Sequence, residues 1–193
     1  MLAFAVRVLP LYLAALALTV GGWAVRASQA WLAPLAISLL LAFAAMMTFR
    51  RAPTWSTALL LAFALGVGVL VRLVTGADPA WGWCAAAALG VPLVAALLGG
   101  PLQGRGAWTR SLLWVAAWIY VLGAWLIPVV WGAPHLGRAW AVGGLAIFTG
   151  LAITWFCVWP GREASLPAGS AAAELYLIGI NLALATNTLA SAW

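Results

Sequence analysis

The sequence has no lysine, one histidine and only three acidic residues in 193 positions. Charged residues make up 6% of the chain and hydrophobic residues 67%, whereas a soluble domain is roughly 25% charged and 45–50% apolar. So few polar side chains cannot cover a water-soluble globule, and we therefore expect the surface to face lipid. The absence of lysine, with heavy use of Ala, Gly, Arg and Trp, is typical of a GC-rich bacterial genome and favours the bacterial inner membrane.

Reactive side chains are equally scarce. Cys84 and Cys157 lie inside apolar runs, and with His135 they have no metal-ligand spacing, so we expect neither a metal site nor a bound cofactor. The sequence has no nucleophile motif, phosphate loop, dinucleotide fingerprint or pair of catalytic carboxylates, so we do not expect an enzyme. The net charge is +6, but the nine arginines are scattered along the chain, which argues against nucleic acid as a partner.

The uncharged stretches repeatedly reach the roughly 20 residues that a helix needs to cross a bilayer. They predict an all-α polytopic membrane protein, a single domain of seven transmembrane helices over residues 8–25, 30–49, 53–73, 79–99, 111–131, 139–159 and 171–190. The first run is too long for a cleavable signal peptide and is followed by more of the same. Pro92, inside the fourth span, predicts a kink or break there.

The arginines predict the orientation of these helices. With seven spans, the side of the amino terminus carries six arginines and the opposite side three: Arg7, Arg50, Arg51, Arg105, Arg110 and Arg162 against Arg26, Arg72 and Arg138. Because loops on the cytoplasmic side are enriched in arginine, the amino terminus is predicted to be cytoplasmic.

Most of the fourteen tryptophans fall near predicted helix ends, as in an interfacial aromatic belt. Trp114, Trp118 and Trp125 differ, because they lie inside the fifth span and share one helix face. This stripe has two interpretations. It is either a bulky surface that faces lipid or packs internally, or a docking face for a partner subunit, a pigment or a quinone.

Ionisable side chains inside hydrocarbon cost about 2.5–3.5 kcal/mol on insertion scales and are therefore functional candidates. Arg72 lies near the end of the third span, where it can snorkel to the interface. Glu174 stands at the start of the last span, on the same helix face as Asn181. This face would suit an ion-accessible interior in which Glu174 pairs with an arginine. Alternatively, Glu174 marks the helix entrance, where its charge complements the helix dipole.

Two short runs resemble a known family. Residues 175–182 (LYLIGINL) resemble the last helix of the transmembrane Bax inhibitor motif family, in which LYLDIINL recurs, and residues 144–150 (GLAIFTG) are similar to the GLLLFSG stretch of its sixth helix. Residues 12–22 are more weakly similar to the family's opening helix, and residues 51–68 to its third helix.

The resemblance implies six helices wrapped around a central last helix, and either a pH-sensitive calcium leak or regulation of membrane proteases and cell-death pathways. The positions that match the family's acidic pair are Trp155 and Ile178, and neither side chain binds a cation. Since calcium requires carboxylate and carbonyl oxygens, this replacement closes a polar pathway.

Three functions follow from these patterns. The first is a Bax-inhibitor-like membrane protein without an intact cation site, which acts through contacts with other membrane proteins. The second is an accessory or scaffold subunit of a photosynthetic or respiratory membrane complex, docked through the tryptophan stripe. The third is a small ion channel or transporter that uses Glu174, Asn181 and Arg72.

Overall fold

A computed structural model describes residues 4–75, 80–99, 102, 107–131 and 134–190. Within these ranges the chain is almost entirely helical and has no β-strand. The α-helices, in chain order, are α1 (Leu9–Ala24), α2 (Leu32–Thr48), α3 (Pro53–Thr75), α4 (Trp81–Ala85), α5 (Val91–Gly99), α6 (Ala107–Trp131), α7 (Pro134–Arg162) and α8 (Ala168–Ala190). Helices are expected of such apolar runs, because in hydrocarbon each backbone polar group must be satisfied within its own segment.

Several stretches of the described chain are long and apolar enough to cross a membrane. Judged by length and composition, there are six: Phe4–Ala24, Gln29–Thr48, Pro53–Val74, Gly82–Gly99, Gly137–Arg162 and Ala168–Ala190. A further helix, α6, is 25 residues long. The described chain is therefore all-helical with several membrane-length helices, as a polytopic membrane protein requires, and the count of seven stays a prediction.

The fourth of the predicted spans is irregular. A π-helical segment, Ala86–Gly90, separates α4 from α5. Pro92 lies two residues after the end of this segment and has no N–H to donate to the carbonyl four residues earlier. The irregular turn expected at Pro92 therefore lies on its amino-terminal side.

Contacts divide the chain into two compact units. The first unit comprises Met1–Asp78 and Arg162–Tyr176, and the second comprises Pro79–Gly161 and Leu177–Trp193. Helix α8 contributes its amino-terminal part to the first unit and its carboxyl-terminal part to the second. It is also the most buried of the candidate spans, with 72% of its apolar stretch buried against 11% for Gln29–Thr48.

In the first unit, α1 and α3 pack backbone to backbone. Gly22 faces the Leu65 carbonyl, and Gly68 faces the backbone of Thr19 and Trp23. A Cβ added at Gly68 would lie 2.8 Å from the Trp23 nitrogen, which is too close for any side chain. Small residues allow membrane helices this approach, from which van der Waals packing gains most of its energy.

A buried hydroxyl pair fastens α8 to this crossing. Thr19 Oγ1 donates to backbone carbonyl oxygen, with Ala15 O at 3.0 Å and Ala64 O at 3.1 Å, and it lies 2.7 Å from the Tyr176 hydroxyl. Because a hydroxyl has one proton, the Tyr176 O–H donates to Thr19. The Tyr176 ring also meets Phe63 edge-on, with centroids 6.4 Å apart.

In the second unit, Asn187 joins α8 to the start of α4. Its Oδ1 accepts a 2.9 Å hydrogen bond from the Ala80 N–H, and the Cys84 thiol lies 3.5 Å from the Ala183 carbonyl oxygen. Cys84 and Cys157 are both buried free thiols. Helices α6 and α7 pack through aromatic rings, since Tyr120 stacks on Trp140 with centroids 5.3 Å apart.

Candidate functional site

Glu174 is the best-supported polar centre of the first unit. Helix α8 begins at Ala168, so Glu174 lies in its second turn rather than at the helix entrance. Its side chain is 14% exposed. The helix dipole acts mainly on the first turn, and the carboxylate therefore requires a different partner for its charge.

Arg162 supplies that partner. Its two terminal nitrogens donate to the two carboxylate oxygens of Glu174, Nη1 to Oε2 at 2.9 Å and Nη2 to Oε1 at 3.0 Å. This fork-to-fork geometry is the strong form of an arginine–carboxylate pair. Arg50 Nη2 lies 3.7 Å from Glu174 Oε1, within ion-pair distance but beyond a hydrogen bond. We refer to Arg50, Arg162 and Glu174 as the arginine–glutamate cluster.

Two chain connections bring this cluster together. Arg50 belongs to the turn between α2 and α3, and the Ser170 hydroxyl donates to its backbone carbonyl. Arg162 is the last residue of α7, and the connection that follows turns back so that the Leu166 N–H donates to the Arg162 carbonyl at 3.0 Å. Arg50 is therefore held by the α2–α3 turn, and Arg162 by the end of α7 and the connection that follows it.

The cluster is poorly suited to binding a cation. Both carboxylate oxygens of Glu174 accept hydrogen bonds from Arg162, and Arg50 adds a second positive charge. Calcium takes six to eight oxygen ligands. Among the residues that the structure describes, no group of three or more His, Cys, Asp or Glu side chains could hold a metal ion.

The other two polar candidates lie elsewhere. Arg72 is near the far end of α3, where its guanidinium stands 4.8 Å from the ring centroid of Trp23, a cation–π arrangement. Asn181 belongs to the second unit, and its amide nitrogen donates to the Leu177 carbonyl of its own helix at 2.7 Å. The first unit thus does not bring Arg72 to Glu174.

The tryptophan stripe is partly on the surface. Trp118 is 48% exposed and is flanked by exposed Val115 and Ile119, whereas Trp114 is half-buried. The side chain of Trp125 lies outside the described residues. An exposed apolar face of this kind is compatible with lipid and with a partner helix.

The positions that match the family's acidic pair are both in the interior. Trp155 and Ile178 are each 1% exposed. Trp155 stacks on Trp159, with centroids 4.9 Å apart and an angle of 11° between the rings. Two apolar side chains so completely buried leave no oxygen donor at these positions.

Two contacts escaped the sequence interpretation. Asn187, not Asn181, bonds to a residue outside its own helix, Ala80 at the start of α4, and Thr19 with Tyr176 forms a buried hydroxyl pair. Both Asn187 and Thr19 are polar residues in the last third of an apolar helix, and this polar side chain in apolar surroundings is the sequence signal that marks them. Ala80 is 107 residues from Asn187 along the chain, and Tyr176 is 157 residues from Thr19. No local sequence pattern identifies partners at such separations.

Comparison with protein-family models, with curated proteins and with solved structures finds no match to this chain. The likeness to the Bax inhibitor motif family stays a prediction based on the short runs quoted above.

Proposed function

We propose that this chain is an integral protein of the bacterial inner membrane that acts through lateral contacts with other membrane proteins and does not conduct ions. The observation that carries this proposal is the state of Glu174. Its carboxylate is occupied by Arg162 and flanked by Arg50, so the one acid within a described membrane-length helix is unavailable to a passing cation.

The proposal includes a Bax-inhibitor-like arrangement with α8 in the centre of the helices. Two facts support it: the high buried fraction of α8, and its participation in both units. In such an arrangement Trp155 and Ile178 would occupy the place of an ion pathway. Bulky apolar side chains there favour a structural role over a conducting one.

The amino terminus is proposed to be cytoplasmic. In the first unit, α1 and α2 run in opposite directions, and the contacts of Arg50 place the α2–α3 turn beside the start of α8. Arg7, Arg50, Arg51 and Arg162 therefore lie towards one end of this unit, and Arg26 and Arg72 towards the other. The more basic end is expected on the cytoplasmic side. Arg105 lies outside the described residues.

Ion flux in liposomes tests the central claim. Purified protein should give calcium and sodium flux no higher than empty liposomes, and Glu174→Gln should leave that background unchanged. Flux that depends on protein and disappears with Glu174→Gln would instead favour the channel or transporter, and would overturn the proposal.

The second candidate, an accessory subunit of a photosynthetic or respiratory complex, is favoured by the exposure of Trp118. Solubilisation of native membranes in a mild detergent should then yield this chain with larger subunits in fixed stoichiometry. Trp118→Ala should abolish that co-purification. Trp31→Ala is the matched control, because Trp31 is 61% exposed and belongs to the first unit. Equal loss of co-purification in Trp118→Ala and Trp31→Ala would indicate general destabilisation and not docking through the tryptophan stripe.

A further inference from the structure

The α2–α3 turn of the first unit carries more positive charge than its surroundings neutralise. Arg50 and Arg51 are consecutive in this turn. At the same end of the unit lie Arg7, Arg162, Glu163 and Glu174. This end of the unit therefore carries four arginines and two glutamates, and its net charge is positive.

Hydrogen bonding within the unit determines which of these arginines still has guanidinium donors available for a ligand. Arg162 uses both terminal nitrogens on Glu174 and is only 22% exposed. The guanidinium of Arg50 is 3.7 Å from the same carboxylate, too far for a hydrogen bond, and its side chain is 49% exposed. Arg51 is exposed, and its side chain has no hydrogen bond or ion pair within the described part of the chain. Arg50 and Arg51 therefore retain unsatisfied guanidinium donors.

The neighbouring aromatic residues place this turn at a lipid–water boundary. Phe49 and Trp55 lie side by side, with ring centroids 6.2 Å apart, and are 48% and 62% exposed. Exposed tryptophan at a helix end is typical of the headgroup level of a membrane. Helix α3 begins at Pro53, so the positive end of its dipole points at the same turn.

We propose that the α2–α3 turn binds the phosphate of an anionic phospholipid headgroup through Arg50 and Arg51, with Phe49 and Trp55 against the adjoining acyl region. Guanidinium groups match phosphate oxygens in a bidentate fork, and they do so better than a lysine ammonium. The Ser170 hydroxyl supports the site, because it donates a hydrogen bond to the Arg50 carbonyl. This inference does not depend on whether the protein acts through partner contacts or conducts ions.

Native mass spectrometry of the full chain in a non-ionic detergent tests the site. The protein is titrated with phosphatidylglycerol and, separately, with phosphatidylcholine of the same acyl chains. We expect the anionic lipid to bind more tightly. Each arginine near an anionic surface contributes about 1 kcal/mol, so Arg51→Gln should weaken phosphatidylglycerol binding about fivefold and the double variant Arg50→Gln/Arg51→Gln about 25-fold.

Arg26→Gln is the matched control. Arg26 is an exposed arginine towards the opposite end of the same unit, so its loss changes the net charge equally without touching the turn. It should leave lipid binding unchanged. Arg51→Gln is also the variant that preserves folding, because it removes an exposed side chain and leaves the arginine–glutamate cluster intact.

Three results would overturn the proposal. One is equal affinity for phosphatidylglycerol and phosphatidylcholine. Another is a loss with Arg26→Gln as large as the loss with Arg51→Gln, which would show a general charge effect. The last concerns the source of the phosphate: if inorganic phosphate at the same concentrations binds as tightly and displaces phosphatidylglycerol, the site takes a free anion and not a lipid.

Discussion

Arg162 and Glu174 face each other across the connection between the last two helices, and each terminal guanidinium nitrogen donates to one carboxylate oxygen, at 2.9 and 3.0 Å. The pair neutralises the only acidic side chain of α8, and Arg50 of the α2–α3 turn lies 3.7 Å from the same carboxylate. The free energy that this ion pair contributes lies between that of a fully buried pair and that of an exposed pair, because the side chain of Glu174 is 14% exposed and that of Arg162 is 22% exposed.

Removal of this tie should destabilise the protein moderately. Breaking a fully buried pair costs about 3–5 kcal/mol and an exposed one about 0–1, so Glu174→Gln is expected to lower the free energy of unfolding by about 1–2 kcal/mol. Denaturant unfolding in detergent micelles measures the change. In the double variant Arg162→Gln/Glu174→Gln the loss should be smaller than the sum of the single losses, because the pair is then removed as a whole. The control, Glu163→Gln, removes the neighbouring acid and should stay within about 0.5 kcal/mol of the parent; a fully additive double variant would contradict the coupling.

The α1–α3 crossing should tolerate no side chain at Gly68. Gly68→Leu would force the helices apart at Thr19 and Trp23, and we expect a loss of at least about 2 kcal/mol or failure to fold. Gly21→Ala is the control, because a Cβ at Gly21 would meet nothing within 4 Å. That variant should be neutral or gain about 0.5–1 kcal/mol from the higher helix propensity of alanine. Equal behaviour of the two variants in thermal unfolding would argue against this crossing.

The hydroxyl pair of Thr19 and Tyr176 should be sensitive to an isosteric change. Thr19→Val leaves the buried Tyr176 hydroxyl without its acceptor, and we expect a cost of about 1–3 kcal/mol in the free energy of unfolding. Thr48→Val is the matched control, since the Thr48 hydroxyl is exposed and bonds only to the Ala44 carbonyl of its own helix. If Tyr176→Phe restored the stability lost in Thr19→Val, the cost would be assigned to the orphaned hydroxyl. If Thr19→Val and Thr48→Val were both as stable as the parent, the bond would contribute nothing measurable to stability.

We expect Asn187, but not Asn181, to stabilise the start of α4. Asn187→Leu removes the acceptor of the Ala80 N–H, at a cost of about 1 kcal/mol, and should raise hydrogen exchange at that amide. Asn181→Leu removes only a bond to its own helix and should leave exchange at residue 80 unchanged. Faster exchange at residue 80 in Asn181→Leu, with none in Asn187→Leu, would reverse the assignment.

The helical fold was largely readable from the chain, for a physical reason. Membrane-length apolar runs have few stable conformations other than a helix, and the described chain is all-helical with several membrane-length helices, as predicted. The irregular turn beside Pro92 was readable as well, because the missing N–H of proline is a local property. Local properties require no knowledge of distant residues.

The candidate site was only partly readable. The chain singled out Glu174 and suggested an arginine as its partner, but not which one, because Arg162 and Arg50 reach it from connections 12 and 124 residues away along the sequence. It also suggested Arg72 and Asn181, which the structure assigns to Trp23 and to the helix's own backbone. Helical periodicity shows which side chains share a face of one helix. It does not show which side chains of different helices pair, because that depends on which helices become neighbours.

The sequence by itself determined that the helices of this protein face lipid and are long enough to cross a membrane, since both follow from the transfer of apolar side chains out of water. Only the tertiary structure decided that the Glu174 charge is neutralised by Arg162, and that Arg50 stays 3.7 Å from the same carboxylate, beyond a hydrogen bond. Charge pairing acts over a few ångströms in space, and those distances are fixed by glycine-dependent helix crossings and by turns that the linear chain does not display.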